Sequence, residues 1–236
     1  MLEIKNLTKI YGQDKKVVDD VSIEVKAGEI VGFIGHNGAG KTTTMKSCIG
    51  GITMNSGDIL INGISIKVDP VACKSITAFV PDTPNLYGYL TGYQYINLIC
   101  DLYKVSQDIR KQKITELADQ FELSHALGSL ISSYSHGMQQ KLSLISAFVH
   151  EPKLLILDEP FVALDPKAFV TLKDLLAKLC DSGSAVLFSS HVLDVVERLC
   201  HKLVIIRQGK IIAQGSIEEI LGNDRLENVF MELTAK

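Results

Sequence analysis

The segment Gly35–Thr42 has the residue types and the spacing of a phosphate-binding loop. It reads G-x-x-x-x-G-K-T and lies between the apolar run Ile30–Ile34 and the helix-like stretch Thr42–Ile49. Glycines let consecutive backbone N–H groups face inward, and these groups attract phosphate together with a helix N-terminus. The Lys41 ammonium suits the β- and γ-phosphates, and the Thr42 hydroxyl suits Mg²⁺. A glycine-rich turn without a ligand is the alternative, but the flanking strand and helix favour phosphate binding.

Two adjacent carboxylates follow another apolar run. Asp158 and Glu159 come directly after Leu154–Leu157, and in an open α/β sheet ligands bind at the carboxyl ends of the strands. Asp158 is suited to bind Mg²⁺ and its water, and Glu159 is suited to orient and deprotonate an attacking water. An acidic turn at a strand end is the alternative, which the nearby phosphate loop makes less favourable.

A histidine and a helix start complete the candidate residues. His191 follows the run Ala185–Ser190 and is predicted to begin an amphipathic helix, whose dipole disfavours the imidazolium form. A neutral His191 could therefore hydrogen-bond a γ-phosphate oxygen, although a lone histidine is more often structural. Ser135 is a candidate N-cap with Gly137 two residues later, and from the residues alone an ordinary helix cap is the better interpretation.

Short apolar runs alternate with helical patterns along the chain, which predicts an α/β fold with a largely parallel sheet. Alternating apolar and polar residues near the N-terminus predict an antiparallel layer before it, and residues 87–150 are predicted to form an all-helical insertion. The core would comprise residues 1–86 and 151–222, followed by a C-terminal helix over 223–236. The predicted parallel strands are Ile30–Ile34, Thr77–Val80, Leu154–Leu157 and Ala185–Phe188.

Composition excludes several classes of protein. The 236 residues include 24 Lys and Arg against 27 Asp and Glu, so there is no overall basic field for a nucleic acid, and no nucleic-acid partner is expected. Five dispersed cysteines without a C-x-x-C pair suggest neither a disulfide framework nor a zinc site. The apolar runs are much shorter than the roughly 20 residues of a membrane span, which predicts a chain that is neither secreted nor membrane-spanning by itself.

Together, these motifs and their order resemble the nucleotide-binding subunit of an ATP-binding cassette (ABC) transporter, over essentially the whole chain. The resemblance implies one domain with a P-loop NTPase core. In chain order the matches are Gly35–Thr42 with Walker A, Ser135–Met138 with the S-G-G-Q of the signature, Asp158–Glu159 with Walker B, Ala163–Asp165 with the D-loop, and His191 with the switch histidine.

The resemblance also implies a role for each matched residue. Tyr11 stands where the family stacks adenine, and Ser135 and Gly137 stand where it contacts the γ-phosphate of ATP bound by the opposite subunit. Glu159, His191 and Lys41 are the expected catalytic residues, and Thr42, Asp82 and Asp158 are the expected Mg²⁺ ligands. The other expected contacts to ATP are Val18, Gly35, His36, Asn37, Gly38, Ala39, Gly40, Lys41, Thr42 and Thr43.

The sequence departs from the family pattern at two places. In the signature, His136 replaces the first glycine and Met138 replaces the glutamine, while Asp82 stands where the family usually has its Q-loop glutamine. Aspartate still offers oxygen to Mg²⁺ or water, but it is shorter and negatively charged. Both departures, the segment Pro84–Thr91 and the tail Leu226–Thr234 resemble the exporter-like branch, whose permeases are short and have six helices.

The function implied is that of an ATPase that powers transport. Two such subunits would clamp two ATP molecules, and the expected partners are an integral membrane permease and a second copy of the chain or a homologous subunit. The permease would hold the subunit at the cytoplasmic face of the cell membrane. Two alternatives stay open: a soluble cassette protein acting on ribosomes or in DNA repair, and a nucleotide switch that barely hydrolyses ATP because of Asp82 and His136.

Overall fold

Two β-sheets organise the chain in the computed structural model, which describes residues 1–222 and 224–235. Within these residues the strands are β1 (Leu2–Tyr11), β2 (Lys15–Val25), β3 (Ile30–Ile34), β4 (Ser56–Ile61), β5 (Ile64–Ser65), β6 (Thr77–Val80), β7 (Leu154–Leu157), β8 (Ala185–Ser189), β9 (Lys202–Arg207) and β10 (Lys210–Ser216). The first sheet is antiparallel, in the order β2-β1-β4-β5. The predicted antiparallel layer is thereby confirmed.

The second sheet is mostly parallel and carries the candidate residues at one edge. Its order is β10-β9-β3-β8-β7-β6, and only β10 runs antiparallel to its neighbour. All residues of β3, β7 and β8 are buried, as expected for parallel strands covered on both faces. The four parallel strands predicted from apolar runs are confirmed, and β8 extends one residue further, to Ser189.

Helices cover the faces of this sheet. They are α1 (Lys41–Cys48), α2 (Pro70–Ser75), α3 (Gly92–Leu102), α4 (Gln107–Gln120), α5 (His136–Phe148), α6 (Pro166–Asp181), α7 (Leu193–Leu199), α8 (Ile217–Leu221) and α9 (Leu226–Ala235), with 3₁₀ turns at Ser124–Ala126 and Ile131–Ser133. None of the helices in the described ranges is long and apolar enough to cross a membrane.

Local sequence explains where several helices begin. The Thr91 hydroxyl accepts from the Gln94 N–H, and the Gln94 side chain accepts from the Thr91 N–H, a capping box at the start of α3. Asp165 caps α6, and Pro166 is its first residue. The helical insertion predicted over 87–150 contains α3, α4, α5 and both 3₁₀ turns. Helix α9 lies within the range 223–236 for which a C-terminal helix is predicted, and positions 223 and 236 lie outside the described residues.

Alternate residues of the central strands face two apolar clusters. In β3, Val31 and Phe33 face the cluster that joins the two sheets, whereas Ile30 and Ile34 face the cluster that contains α5 and α6. Both faces of the parallel sheet are therefore fixed by packing. The loops after β3, β8, β7 and β6 consequently lie side by side at one edge of the sheet, where the candidate residues are. The division into core and helical subdomains stays a prediction.

Candidate active site

The loop between β3 and α1 is pressed against neighbouring backbone at two glycines. A Cβ on Gly35 would lie 2.3 Å from the carbonyl oxygen of Ile206, and a Cβ on Gly40 would lie 2.6 Å from that of Val17. Gly40 also has φ +113°, which disfavours any other residue there. These two positions therefore require glycine, which lets the loop pack directly against the backbone of Ile206 and Val17.

Lys41 is a buried cation next to the loop. Its Nζ donates hydrogen bonds to the carbonyl oxygen of Gly35 at 2.6 Å and, at 3.4 Å, to that of His36. Burial lowers the pKa of this ammonium, whereas the carboxylates of Glu159 and Asp158 raise it. A phosphate at the loop would add an anion to this partly desolvated charge, so the surroundings of Lys41 favour an anionic ligand.

A hydrogen-bond network joins the phosphate loop to the two carboxylates. Asp158 is buried, and its Oδ2 accepts from the Thr42 hydroxyl at 2.6 Å. Its Oδ1 accepts from the Ser189 hydroxyl at 2.6 Å, and the Ser189 Oγ accepts from the Glu159 N–H at 2.9 Å. Ser189 thus orients both carboxylate residues. Ser189 is not among the residues predicted from the sequence, although a serine at the end of apolar β8 is a signal that the sequence contains.

Glu159 is held by His191. The Glu159 Oε2 accepts from the His191 N–H at 3.2 Å and lies 2.8 Å from the His191 Nδ1. The prediction that His191 begins a helix is wrong, because α7 begins at Leu193. The Ser190 hydroxyl accepts from the Val192 N–H at 3.0 Å, so residues 190–192 form a turn before the helix.

A cavity of about 320 Å³ is lined by many of the predicted residues. Asp82 lies two residues beyond β6 and, although exposed, faces this cavity together with Asp158 and Glu159. The expected contact between Val18 and the nucleotide is corrected by the structure. The Val18 side chain is fully buried in the cluster between the sheets, and Val17 lines the cavity instead. Neighbouring residues of a strand point to opposite sides, which explains the exchange. The lining residues are Val17, Asn37, Gly38, Gly40, Lys41, Thr42, Thr43, Asp82, Asp158 and Glu159.

Other predicted residues do not line this cavity. Tyr11 is exposed at the end of β1, and the Lys9 Nζ lies 5.0 Å from the centroid of its ring. Ser135 caps α5 by accepting from the Met138 N–H at 3.3 Å. A Cβ on Gly137 would lie 2.9 Å from the Ala163 carbonyl oxygen, so this glycine lets α5 approach the segment after Glu159 closely.

The three remaining loop residues differ in environment. Within the loop, Gly35 and Ala39 are buried, and His36 is exposed at the surface. The His36 ring contacts the Phe230 ring of α9, with centroids 5.2 Å apart.

The donor set beside the loop fits Mg²⁺. This ion prefers oxygen ligands and is commonly bound through one or two carboxylates together with substrate phosphates. The Thr42 hydroxyl and the Asp158 carboxylate are already in contact at the rim of the cavity, next to the buried Lys41. The residues present therefore fit a magnesium–nucleotide complex.

The sequence and the fold of this chain are similar to those of known proteins. A protein-family model described as "ABC transporter" matches residues 18–162. The chain belongs to the ABC transporter family. It is 39% identical to the uncharacterized ABC transporter ATP-binding protein YhcH of Bacillus subtilis, over 93% of this chain and 71% of that protein. It is 32% identical to the lipopolysaccharide export system ATP-binding protein LptB of Escherichia coli K12, over 98% of this chain and 96% of that protein.

A solved structure described as an ATP-binding subunit of an ABC transporter matches this subunit with a TM-score of 0.95 and 35% identity, over 99% of both chains. As a member of the family, the ATP-binding subunit is an ATPase that binds ATP with Mg²⁺. ATP-binding subunits of this family dimerise and pair with membrane permeases. The predicted fold, ATPase activity and cofactors are thereby confirmed, and so are the predicted permease and second-subunit partners.

Proposed function

We propose that this subunit powers an exporter through a separate permease at the cytoplasmic face of the cell membrane. The observation that carries the ATPase part is the network in which Thr42 and Ser189 hold Asp158 while Ser189 also holds the Glu159 backbone. It joins the phosphate loop to the candidate base through three hydrogen bonds. Export is supported by similarity to LptB, which is named for an export system, and by the departures at Asp82 and His136.

The geometry supports in-line attack of water on the γ-phosphate. In this proposal the loop N–H groups and Lys41 bind the β- and γ-phosphates, and Glu159 orients the attacking water and accepts its proton. Thr42 and Asp158 would hold Mg²⁺, with Asp82 facing the same cavity, and the bound ion would neutralise developing negative charge. The new bond joins the water oxygen to the γ-phosphorus. The bond that breaks joins the γ-phosphorus to the oxygen bridging the β- and γ-phosphates, and this releases ADP.

His191 acts in this proposal by holding the base. Its backbone N–H and its Nδ1 both meet the Glu159 Oε2. A neutral imidazole that donates from Nδ1 has only an acceptor at Nε2. Donation to a γ-phosphate oxygen therefore requires protonation of His191 or release of Glu159. The expectation that a neutral His191 binds phosphate is thereby refined: in this proposal His191 does not donate to phosphate while it is neutral and bonded to Glu159.

Two copies would complete each site. Ser135 and Gly137 do not line the cavity of their own chain, which supports a role at the phosphate of the opposite subunit. Light scattering on the Glu159→Gln protein is expected to show monomer without nucleotide and dimer with Mg-ATP. The same protein with Gly137→Val, a larger side chain at the start of α5, is expected to stay monomeric. A monomer at saturating ATP and micromolar concentration would contradict shared sites in the isolated subunit.

We infer that the permease docks on an exposed group of tyrosines. Tyr87, Tyr89 and Tyr93 are all exposed beyond Asp82, and the Tyr87 and Tyr89 rings lie 5.8 Å apart. Such amphipathic side chains are enriched in protein interfaces. Tyr89→Ala is expected to leave the ATPase rate of the isolated subunit unchanged and to abolish its stimulation by permease. Leu102→Ala, which removes an exposed apolar side chain from the other end of α3, is the matched control.

The test of export is reconstitution with the permease in proteoliposomes. We expect ATP added on the side that exposes the subunit to drive substrate away from that side, with ATPase activity stimulated severalfold. Movement of substrate toward the subunit would overturn the proposed direction. Stimulation by ribosomes or DNA, but not by permease, would instead support the soluble alternative.

A further inference from the structure

An aromatic contact ties the C-terminal helix to the phosphate loop. The rings of His36 and Phe230 have centroids 5.2 Å apart and planes inclined at 55°, within the geometry that aromatic pairs prefer. His36 is the second residue of the loop, and Phe230 lies near the middle of α9. We propose that Phe230 is a positioning residue for ATP binding, which sets the loop conformation through His36.

Phe230 is well placed to act as a fixed support. Its ring is almost completely buried in the same apolar cluster as Val196 and Ile205. The helix is anchored one turn earlier by Leu226, whose side chain is fully buried and whose N–H donates to the Glu197 Oε2 at 3.1 Å. Because Glu197 belongs to α7, α9 is attached to the helix that follows His191. The Phe230 ring that contacts His36 is therefore held by the packing of α9 against α7.

His36 is the point at which such a support affects the loop. Its carbonyl oxygen accepts from the Ala39 N–H at 3.0 Å and from the Lys41 Nζ at 3.4 Å. The next two residues, Asn37 and Gly38, line the cavity. The direction of their N–H groups thus depends on the backbone at His36, which the Phe230 ring restrains on the outer side.

Nucleotide binding is expected to change this contact. Lys41 donates to the carbonyl oxygens of Gly35 and His36, and a phosphate would compete for the same ammonium protons. Weaker bonds to these carbonyls relax the backbone at His36, whose ring then shifts against Phe230. Helix α9 and the phosphate site are thereby coupled. This inference rests on the proposed role of Gly35–Thr42 in binding the phosphates of ATP.

A single tryptophan can report the contact, because the chain contains no tryptophan. Phe230→Trp places the fluorophore against His36, and Met231→Trp places it one residue further on the same helix, on an exposed side chain. We expect Mg-ATP to change the emission of Phe230→Trp, with a midpoint equal to the dissociation constant measured by calorimetry. Met231→Trp is expected not to respond.

The outcomes separate this inference from the proposed function. Unchanged Phe230→Trp emission while calorimetry shows bound ATP would overturn the inference alone, and so would an equal response from Met231→Trp. If calorimetry shows no ATP bound to the unmodified protein, the proposed phosphate site fails as well.

A second variant avoids the larger indole. Phe230→Leu keeps an apolar side chain in the cluster but removes the aromatic face toward His36. The coupling energy of an aromatic pair corresponds to an increase of about two- to tenfold in the dissociation constant for ATP. The kcat at saturating ATP should stay within about twofold, and Phe230→Tyr should restore the affinity. Unchanged affinity in Phe230→Leu, or loss of kcat at constant affinity, would contradict a positioning role.

Discussion

Replacing Ser189 with alanine removes the hydroxyl that links the two carboxylate residues. The Ser189 Oγ donates to the Asp158 Oδ1 at 2.6 Å and accepts from the Glu159 N–H at 2.9 Å. The side chain is fully buried, so water cannot easily take the place of the missing oxygen. Asp158 keeps the hydrogen bond from Thr42 on its other oxygen, and the Glu159 N–H loses its acceptor.

The two lost hydrogen bonds give the expected loss of stability. A bond to a charged acceptor contributes about 1.5–3 kcal/mol, and a buried N–H left without an acceptor costs about 1–3 kcal/mol. Because Glu159 is partly exposed, the lower half of the second range applies, and together the two losses should lower the free energy of unfolding by about 2.5–5 kcal/mol. The freed Glu159 should also lower kcat by about tenfold or more, because a misplaced base no longer meets its water.

Urea denaturation and steady-state ATPase measurements test both numbers, with Ser190→Ala as the matched control. Ser190 is similarly buried, but its hydroxyl accepts from the Val192 N–H, at 3.0 Å, and not from either carboxylate residue. Its replacement should cost about 0.5–1.5 kcal/mol and change kcat much less. Equal losses in the two variants, or normal turnover in Ser189→Ala, would refute the idea that Ser189 orients Asp158 and Glu159.

Four further changes test the site and the fold. Glu159→Gln should lower kcat by about 10²–10⁴-fold with nearly unchanged ATP affinity, because a general base contributes little to ground-state binding; loss of binding in calorimetry would assign Glu159 to structure. Lys41→Ala should weaken ATP binding by about tenfold or more, because it removes the cation beside the loop. An unchanged dissociation constant would show that Lys41 does not bind the phosphates. Asp82→Ala should raise the Mg²⁺ concentration needed for half-maximal ATPase activity, whereas Asp82→Gln should retain activity; normal Mg²⁺ dependence, turnover and permease stimulation in Asp82→Ala would remove it from the site. Burial lowers the pKa of His150 from 6.5 in the unfolded chain to about 4 in the folded protein. The unfolded chain therefore binds the proton more readily, and the free energy of unfolding should fall as the pH drops from 6.5 toward 4. In urea denaturation, His150→Phe, which keeps a ring against Tyr103, should show a smaller fall, and an equal fall would exclude His150 as the cause.

Local sequence determines much of this protein because several elements depend on neighbours in the chain. Leu154–Leu157 is a run of four apolar residues, and such a run is stable only when both faces of its strand are covered. In Gly35–Thr42, the spacing of glycines, lysine and threonine defines a loop whose function depends mainly on its own backbone. The carboxylates after β7 could be assigned for the same reason, since a strand end and a phosphate loop are both visible in the sequence.

Which individual residues line the site could be determined only from the folded structure. Val17 and Val18 are adjacent and chemically identical, and only the packing of β2 against the core shows which one faces the cavity. Strands β4, β5 and β10 complete the two sheets without a strong apolar run of their own, because they lie at or near sheet edges where many of their residues are exposed or only partly buried.

Which residues act together was decided by tertiary structure alone. Ser189 meets Asp158 because β8 pairs with β7 in parallel register, and the contact crosses 31 positions of the chain. His36 contacts Phe230 because α9, near the end of the chain, packs against α7 and thereby lies beside the phosphate loop. A sequence motif records the backbone shape and chemistry of one segment. Contacts between distant segments depend on strand order, register and the shape of the packed core, and these arise only from the balance of many long-range interactions.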